Sequence, residues 1–252
     1  MRLPDDITVV IAAKDEEPSV ADVVRDCRVH AAEVLVVVDP RSKDRTAEVA
    51  AAAGARVITD AGLGKGHAMR MAVDEVKTKV VVFVDADGSH DTADIPQLVQ
   101  AILAGQADHV SASRLMGGSS ELHGGFDEFF RLTGSSFITA CINRRFGVRL
   151  SDSQNGFRAI RTDVIRQLGL VSNTTTIEQE MIMRSLGMGF RVAEVPSHER
   201  VRRFGQSHIS VRRVALRYVL NFVTCLWFTR YPVFRSPLSG VERVESSGPV
   251  HR

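Results

Sequence analysis

Short β-branched apolar runs alternate with helix-spaced segments through the first hundred or so residues. Residues 8–12 and 34–38 are short apolar runs, and 56–58, 80–84 and 109–113 read as further strands. Residues 16–27, 44–53, 66–76 and 94–103 space their apolar positions as helices do. Continuous apolar strands alternating with helices predict βαβ units and an α/β fold, with a mainly parallel twisted sheet covered on both sides. The later half is less regular. A Gly- and Ser-rich stretch at 117–125 reads as a mobile loop. Helices are predicted at 126–146, 162–168 and 178–186, an extended stretch at 150–160 and a strand at 190–195. A further helix follows at 211–229. The tail 236–252 has no periodicity and is predicted to be disordered.

In parallel sheets of this kind ligands sit beyond the carboxyl ends of the strands. Those ends are polar in this chain. The first runs into Ala13-Lys14-Asp15-Glu16-Glu17, the second into Asp39-Pro40-Arg41-Ser42-Lys43-Asp44, the fourth into Asp85-Ala86-Asp87-Gly88-Ser89-His90 and the fifth into Ser113-Arg114. Helix capping accounts for Ser42 or Asp44. It does not account for acidic groups at three strand ends in succession.

Composition narrows the class. The 252 residues are 44% hydrophobic and 25% charged, which excludes wholesale disorder and fibrous repeats. Cys27, Cys141 and Cys225 are odd in number and far apart, so neither a disulfide framework nor a zinc site is expected. The N-terminus lacks a signal-peptide pattern, and no uncharged apolar run reaches the roughly 18 residues of a spanning helix. The net charge of +2 conceals an asymmetry: residues 200–235 hold eight arginines and no acid. That region is expected to meet phosphate or a membrane surface, or to be a solvated basic face.

Four clusters carry candidate chemistry. Asp85 and Asp87, two residues apart at a strand end, can share a hard divalent cation such as Mg2+ or Mn2+, which keeps substrate phosphates in its shell; the bland alternative is a polar turn. Gly62-Leu63-Gly64-Lys65-Gly66 opens a helix, where backbone N–H groups could cradle phosphate and Lys65 adds charge, or where the glycines simply make a turn. Residues 151–158, SDSQNGFR, form a polar cluster. Arg202-Arg203-Phe204-Gly205-Gln206-Ser207-His208 could clamp phosphate oxygens, or His208 could be a surface residue.

Taken together, DAD after a strand, GKG before a helix, SDxQxGFR, Glu178-Gln179-Glu180-Met181 with residues 190–196, and the RxxGxSxxS end resemble family 2 glycosyltransferases. The subgroup most similar is the dolichol-phosphate, or polyprenyl-phosphate, mannose synthases, over roughly residues 7–210. The resemblance implies a GT-A fold, a nucleotide-sugar donor (GDP-mannose favoured), a Mg2+ or Mn2+ cofactor, inversion at the anomeric carbon and a lipid-phosphate acceptor. It assigns Asp85, Asp87 and Ser89 to the metal. Ala12, Glu16, Asp39, Lys65, Asp85, Ala86, Asp87, Arg114, Arg202 and His208 fall to the nucleotide sugar. Asp87, Arg131, Asp152, Gln154, Arg158 and Glu180 fall to catalysis, with Ser135 a further polar position. Departures include Ala12-Ala13-Lys14-Asp15 in place of Pro-Ala-Tyr-Asn, Pro40-Arg41 in place of Asp-Gly, and His208 in place of Lys.

An anionic lipid phosphate needs no general base, whereas a hydroxyl acceptor does, with Asp152 and Glu180 the candidates. In 211–229, Val211, Val214, Ala215, Tyr218 and Phe222 form one stripe, while Arg213, Arg217, Asn221 and Thr224 line the other side. Trp227, Phe228, Tyr231 and Phe234 follow. Such a helix suits the headgroup region; the competing reading packs it on the domain or on a second subunit of a homodimer. The expected organisation is a GT-A domain over 1–210, an amphipathic membrane-surface helix over 211–235 and a tail over 236–252, peripheral at the cytoplasmic face of a membrane. A soluble glycosyltransferase using a UDP- or GDP-sugar and a small hydroxyl acceptor is the alternative. A pyrophosphorylase would need a GxGxRxxP-like loop, which residues 12–17 lack. A nucleic-acid-binding module would leave Asp85 and Asp87 without purpose, so no nucleic acid partner is expected.

Overall fold

A computed structural model describes residues 3–119, 126–200 and 222–224 of the chain, with side chains described from residue 5 and, in the second stretch, from residue 134. Seven strands form one sheet: β1 (Ile7–Ala13), β2 (Glu33–Val38), β3 (Arg56–Thr59), β4 (Val80–Asp85), β5 (His109–Ser113), β6 (Arg158–Arg161) and β7 (Val192–Pro196). Their order is β3-β2-β1-β4-β6-β5-β7. The left half, β3-β2-β1-β4, is parallel throughout, and so is the β5–β7 pair. β6 runs antiparallel to both of its neighbours.

The expected extended stretch at 150–160 is therefore corrected to a four-residue strand. Side chains take the amides before it: Ser151 and Asp152 N–H bond Glu194, Gln154 N–H bonds Asp152 and Phe157 N–H bonds Asn155, though the Phe157 carbonyl still accepts from the Ala112 N–H of β5. A short helix after β5 was also not anticipated.

The helices are α1 (Glu17–Arg28), α2 (Thr46–Ala52), α3 (Lys65–Glu75), α4 (Ile95–Leu103), α5 (Arg114–Gly117), α6 (Phe126–Phe146), α7 (Thr162–Gln167) and α8 (Ile177–Gly187). One face of the sheet, through Val9, Ile11, Val36, Val82 and Val84, packs on α1 and α4. The other, through Val10, Leu35, Val37, Val81 and Phe83, packs on α3, α7 and α8. Each fully buried Val, Ile or Leu contributes about 1.5–3 kcal/mol relative to an exposed one, so the apolar runs that predicted the strands also hold them in place. α6 rests on a third cluster through Ile142, with Leu150, Ile182 and Phe222. Cys27 and Cys141 are free; burial pushes the Cys27 thiol up to about 12, an inert core group.

Chain direction across the sheet reverses at β1. From β1 the chain moves outward to β2 and β3, then returns to place β4 on the other side of β1. The β1 and β4 ends stand level, with Ala12 opposite Asp85. A crevice beyond such a switch point is where open α/β sheets bind ligands.

The expected 211–235 helix and 236–252 tail lie outside the described residues, apart from 222–224; there Phe222, expected on the membrane-facing stripe, is instead buried against Ile142 and Ile182 of the domain. Among the described residues no helix is long and apolar enough to cross a membrane.

Candidate active site

The β4 end delivers Asp85 into the crevice, where three chain segments meet it. The Lys65 ammonium, from the start of α3, lies 2.6 Å from Asp85 Oδ1 and 2.7 Å from Glu178 Oε1 at the start of α8. Burial opposes the charge on Lys65, but the two carboxylates outweigh it and raise its pKa. His90 Nε2 stands 3.8 Å from Asp85 Oδ2, and its ring stacks on Phe157 with centroids 5.1 Å apart. Burial drives the His90 pKa down despite the acids around it, so this ring is neutral near pH 7. Neither Glu178 nor His90 figured among the expected site residues. His90 lay in view within DADGSH, but its stacking partner is remote in sequence.

Asp87 is buried and accepts from Ser89 twice, at Oδ1 from the backbone N–H (3.1 Å) and from the hydroxyl (2.7 Å). Ser89 thus orients the carboxylate. Ala86, between the two acids, is core. Among the described residues no three His, Cys, Asp or Glu side chains form a metal cage. The donor set still fits a hard divalent cation. Asp85 and Asp87 supply oxygen, a lysine already stands as a cation on Asp85, and such an ion takes much of its shell from phosphate and water.

The left wall is built from two cross-linked loops. Asp15, at φ 56°, turns the chain after β1; its N–H bonds Ser42 and its carboxylate receives the Lys43 N–H. Glu16 N–H bonds Thr46, and its carboxylate receives the Ser19 hydroxyl. Ala12 lies half-buried at the β1 end. Asp39 accepts from the Arg41 backbone and guanidinium, and that guanidinium holds its carboxyl down at about 2.

The right wall is a chain of buried ions. Asp152 accepts from Arg114 through Nε at 2.6 Å and Nη2 at 3.1 Å, and Arg114 also lies 3.6 Å from Glu199. Burial works to raise Asp152, but Arg114 prevails and keeps it below the usual carboxylate range. Gln154 leans on the Ser153 hydroxyl. Ser135 is half-buried on α6. The backbone of Arg131 lies in α6, but its side chain, like all of Arg202 and His208, lies outside the described residues.

Three expectations are corrected. Arg158 does not face an acceptor: it is wholly buried, and its guanidinium donates to the Glu178 carbonyl (2.7 Å) and the Asn155 carbonyl. Glu180 is wholly buried too, accepting from the Val171 and Ser172 amides and from Arg184, so it fastens a loop and is no free base. The glycine-rich turn is no open phosphate cradle, because the Gly66 and His67 amides already bond the Asn173 carbonyl.

The family model described as "Glycosyl transferase family 2" matches residues 8–169. The glycosyltransferase AglJ of Haloferax volcanii is 28% identical over 198 residues, covering 78% of this chain and 64% of AglJ, so this chain spans just under two thirds of that relative. A dolichyl-phosphate hexose transferase of the same organism is 31% identical over 197 residues, 76% of this chain and 82% of that protein. Among solved structures, glucosyl-3-phosphoglycerate synthase from Mycobacterium tuberculosis, in complex with Mn2+, UDP and glucosyl-3-phosphoglycerate, superposes with a TM-score of 0.70. It is 20% identical and covers 87% of this chain and 79% of its own. That likeness is one of fold.

Proposed function

The chain belongs to glycosyl transferase family 2, and from that premise we propose that it transfers a hexose from a nucleoside-diphosphate sugar to a polyprenyl or dolichyl phosphate. It has the GT-A architecture the motifs led us to expect, with the crevice at the β1/β4 switch point. One observation carries the choice of acceptor. Three acids of the crevice are held by cations: Asp85 and Glu178 by Lys65, and Asp152 by Arg114. A carboxylate held this way is a poor general base, and a phosphate, already ionised near pH 7, needs none. The dolichyl-phosphate hexose transferase among the relatives supports the same acceptor class.

In this reading Asp85 and Asp87 would hold Mg2+ or Mn2+, which supplies charge neutralisation for the departing nucleoside diphosphate. Ser89 fixes the rotamer of Asp87. Asp39 and the 13–17 loop face the nucleoside, and Arg114 with Gln154 borders the sugar and acceptor side. Catalysis then consists of alignment and charge stabilisation. Mannose from GDP-mannose is the favoured donor, and the Arg41 cap on Asp39 is the feature through which this chain's base preference would differ. The reaction inverts the anomeric centre. The basic, aromatic 211–235 segment brings the domain to the surface of an anionic membrane, with about 1 kcal/mol gained per arginine near the surface.

The test is transfer of labelled hexose from GDP- and UDP-sugars to a short polyprenyl phosphate in detergent, with Mn2+ or excess EDTA. A metal-dependent lipid-linked product is expected. Transfer to hydroxyl acceptors alone would overturn the acceptor. A chain truncated after Arg212 should no longer sediment with anionic vesicles; if it does, the segment is not the membrane contact.

A further inference from the structure

Lys65 lies between two acids that are far from it in sequence, and the two differ in what they have left to offer. Its ammonium has three N–H donors and meets Asp85 Oδ1 at 2.6 Å and Glu178 Oε1 at 2.7 Å. The second oxygen of Glu178, Oε2, is buried without a hydrogen-bond partner. A buried carboxylate oxygen left unpaired is costly and calls for an explanation. Space beside the pair is kept by Gly156, where a Cβ would sit 3.0 Å from Asp85 Oδ2 and 3.3 Å from Lys65 Nζ. Arg158, beneath, pins the Glu178 carbonyl and holds that end of α8 still.

We propose that Lys65 is a resident counter-ion which occupies Asp85 until a divalent cation arrives, then gives up that carboxylate and takes both oxygens of Glu178. The inference rests on the reading of Asp85 and Asp87 as the cation's ligands. It assigns new roles within that site. Lys65 keeps the acidic tip of β4 from standing uncompensated before the donor binds. Glu178 is the receiver that lets the lysine leave at little cost. Without Glu178 the ammonium has only Asp85 to hold and competes with the metal; without Lys65 the metal meets no competitor.

The test is Mn2+ binding to the full chain without nucleotide, by calorimetry and by the EPR signal of free Mn2+. Lys65→Met should tighten binding and Glu178→Gln should weaken it, each by about tenfold, the scale of one close charge at a partly buried site. In the Lys65→Met background, Glu178→Gln should have little further effect, since the lysine that needs the receiver is gone. A purely structural role for the pair would weaken binding in both single variants, and that result overturns the proposal. So do independent, additive effects, or unchanged affinity in either single variant. Should Lys65→Met fail to fold, Lys65→Gln takes its place with the same expected tightening and the same overturning results, because weaker binding in Glu178→Gln fits either role. Asp87→Asn separates the two levels. If wild-type Mn2+ binding is indifferent to Asp87→Asn, the metal reading itself has failed; if Asp87 matters and the Lys65 pattern is absent, only the exchange has.

Discussion

The Asn173 carbonyl accepts from the Gly66 amide at 3.0 Å, across the first turn of α3. This contact explains a glycine that looked like a phosphate binder. A Cβ on Gly66 would lie 2.4 Å from the Ser172 carbonyl oxygen and 2.7 Å from that of Thr174, closer than backbone allows. Gly66→Ala should therefore displace the loop that Glu180 anchors, costing about 1–3 kcal/mol as overpacking does. Gly134→Ala is the control: among the described residues nothing lies within 4 Å of its Cβ, and it sits within α6, so it should stabilise by about 0.5–1 kcal/mol. Urea denaturation of both variants checks the pair. Equal stabilities would remove the steric explanation.

The sequence exposed whatever is written in neighbouring positions. β1, β2 and β4 rest on the apolar runs 9–13, 34–38 and 80–84, and their ends show Ala12, Asp39, Asp85 and Asp87 in plain order. The places where it misled are those where a partner is remote or carries no side-chain signature. Arg158 and Glu180 read as exposed chemistry, but Arg158 donates to backbone carbonyls and Glu180 accepts from backbone amides as well as from Arg184, and no residue name reveals the backbone partners. Glu178 became a site residue only once α8 packed beside α3 and brought it to Lys65. β6 was overextended because the side chains that capture the 151–157 amides include Glu194, on a strand not yet formed in sequence terms.

Removing a single carboxylate from the β4 tip gives the sharpest functional test. Asp87 accepts from the Ser89 N–H and hydroxyl through Oδ1, and Asn keeps an acceptor oxygen there at the same size, so Asp87→Asn should keep the fold. Transfer should drop by about a hundredfold or more, as when a group stabilising transition-state charge is lost. Initial rates under saturating Mn2+, with circular dichroism as the fold control, measure both. Undiminished rates would remove Asp87 from the metal role.

Arg114 should matter to folding and show its partner's charge through pH. Asp152 is buried, and Arg114 holds its pKa below the ordinary value. A depressed carboxyl contributes stability that is present above its unfolded pKa and lost as pH falls through the folded one. Arg114→Ala strands the charge and should cost about 3 kcal/mol near pH 7, the low end for a broken buried pair because Arg114 is partly exposed. As pH falls toward about 4, Asp152 takes a proton more readily in the variant, and the two stability curves should converge. Parallel curves across that range would show that the pair is not what sets the difference.

His109 supplies a pH effect of the opposite origin, far from the crevice chemistry. It is wholly buried on β5, with Nδ1 3.0 Å from the Ser185 hydroxyl on α8 and Nε2 unpartnered. Burial first, and then the charge of Arg158, push its pKa well below 6.5. The folded state thus refuses a proton that the unfolded chain accepts. Below about pH 6.5 the unfolded state binds more protons, so stability must fall as pH drops, by up to about 1.4 kcal/mol per unit for this one group. His90 is lowered in the same direction, also by burial, and keeps part of the slope when His109 is replaced. His109→Gln should therefore be less stable at pH 7.5, where a packed ring is lost, yet lose stability more gradually toward pH 5. Urea midpoints at intervals between these two values read the slopes directly. If wild type and variant fall in parallel, His109 is charged in the fold, and its setting between β5 and α8 must be polar enough to hold an imidazolium.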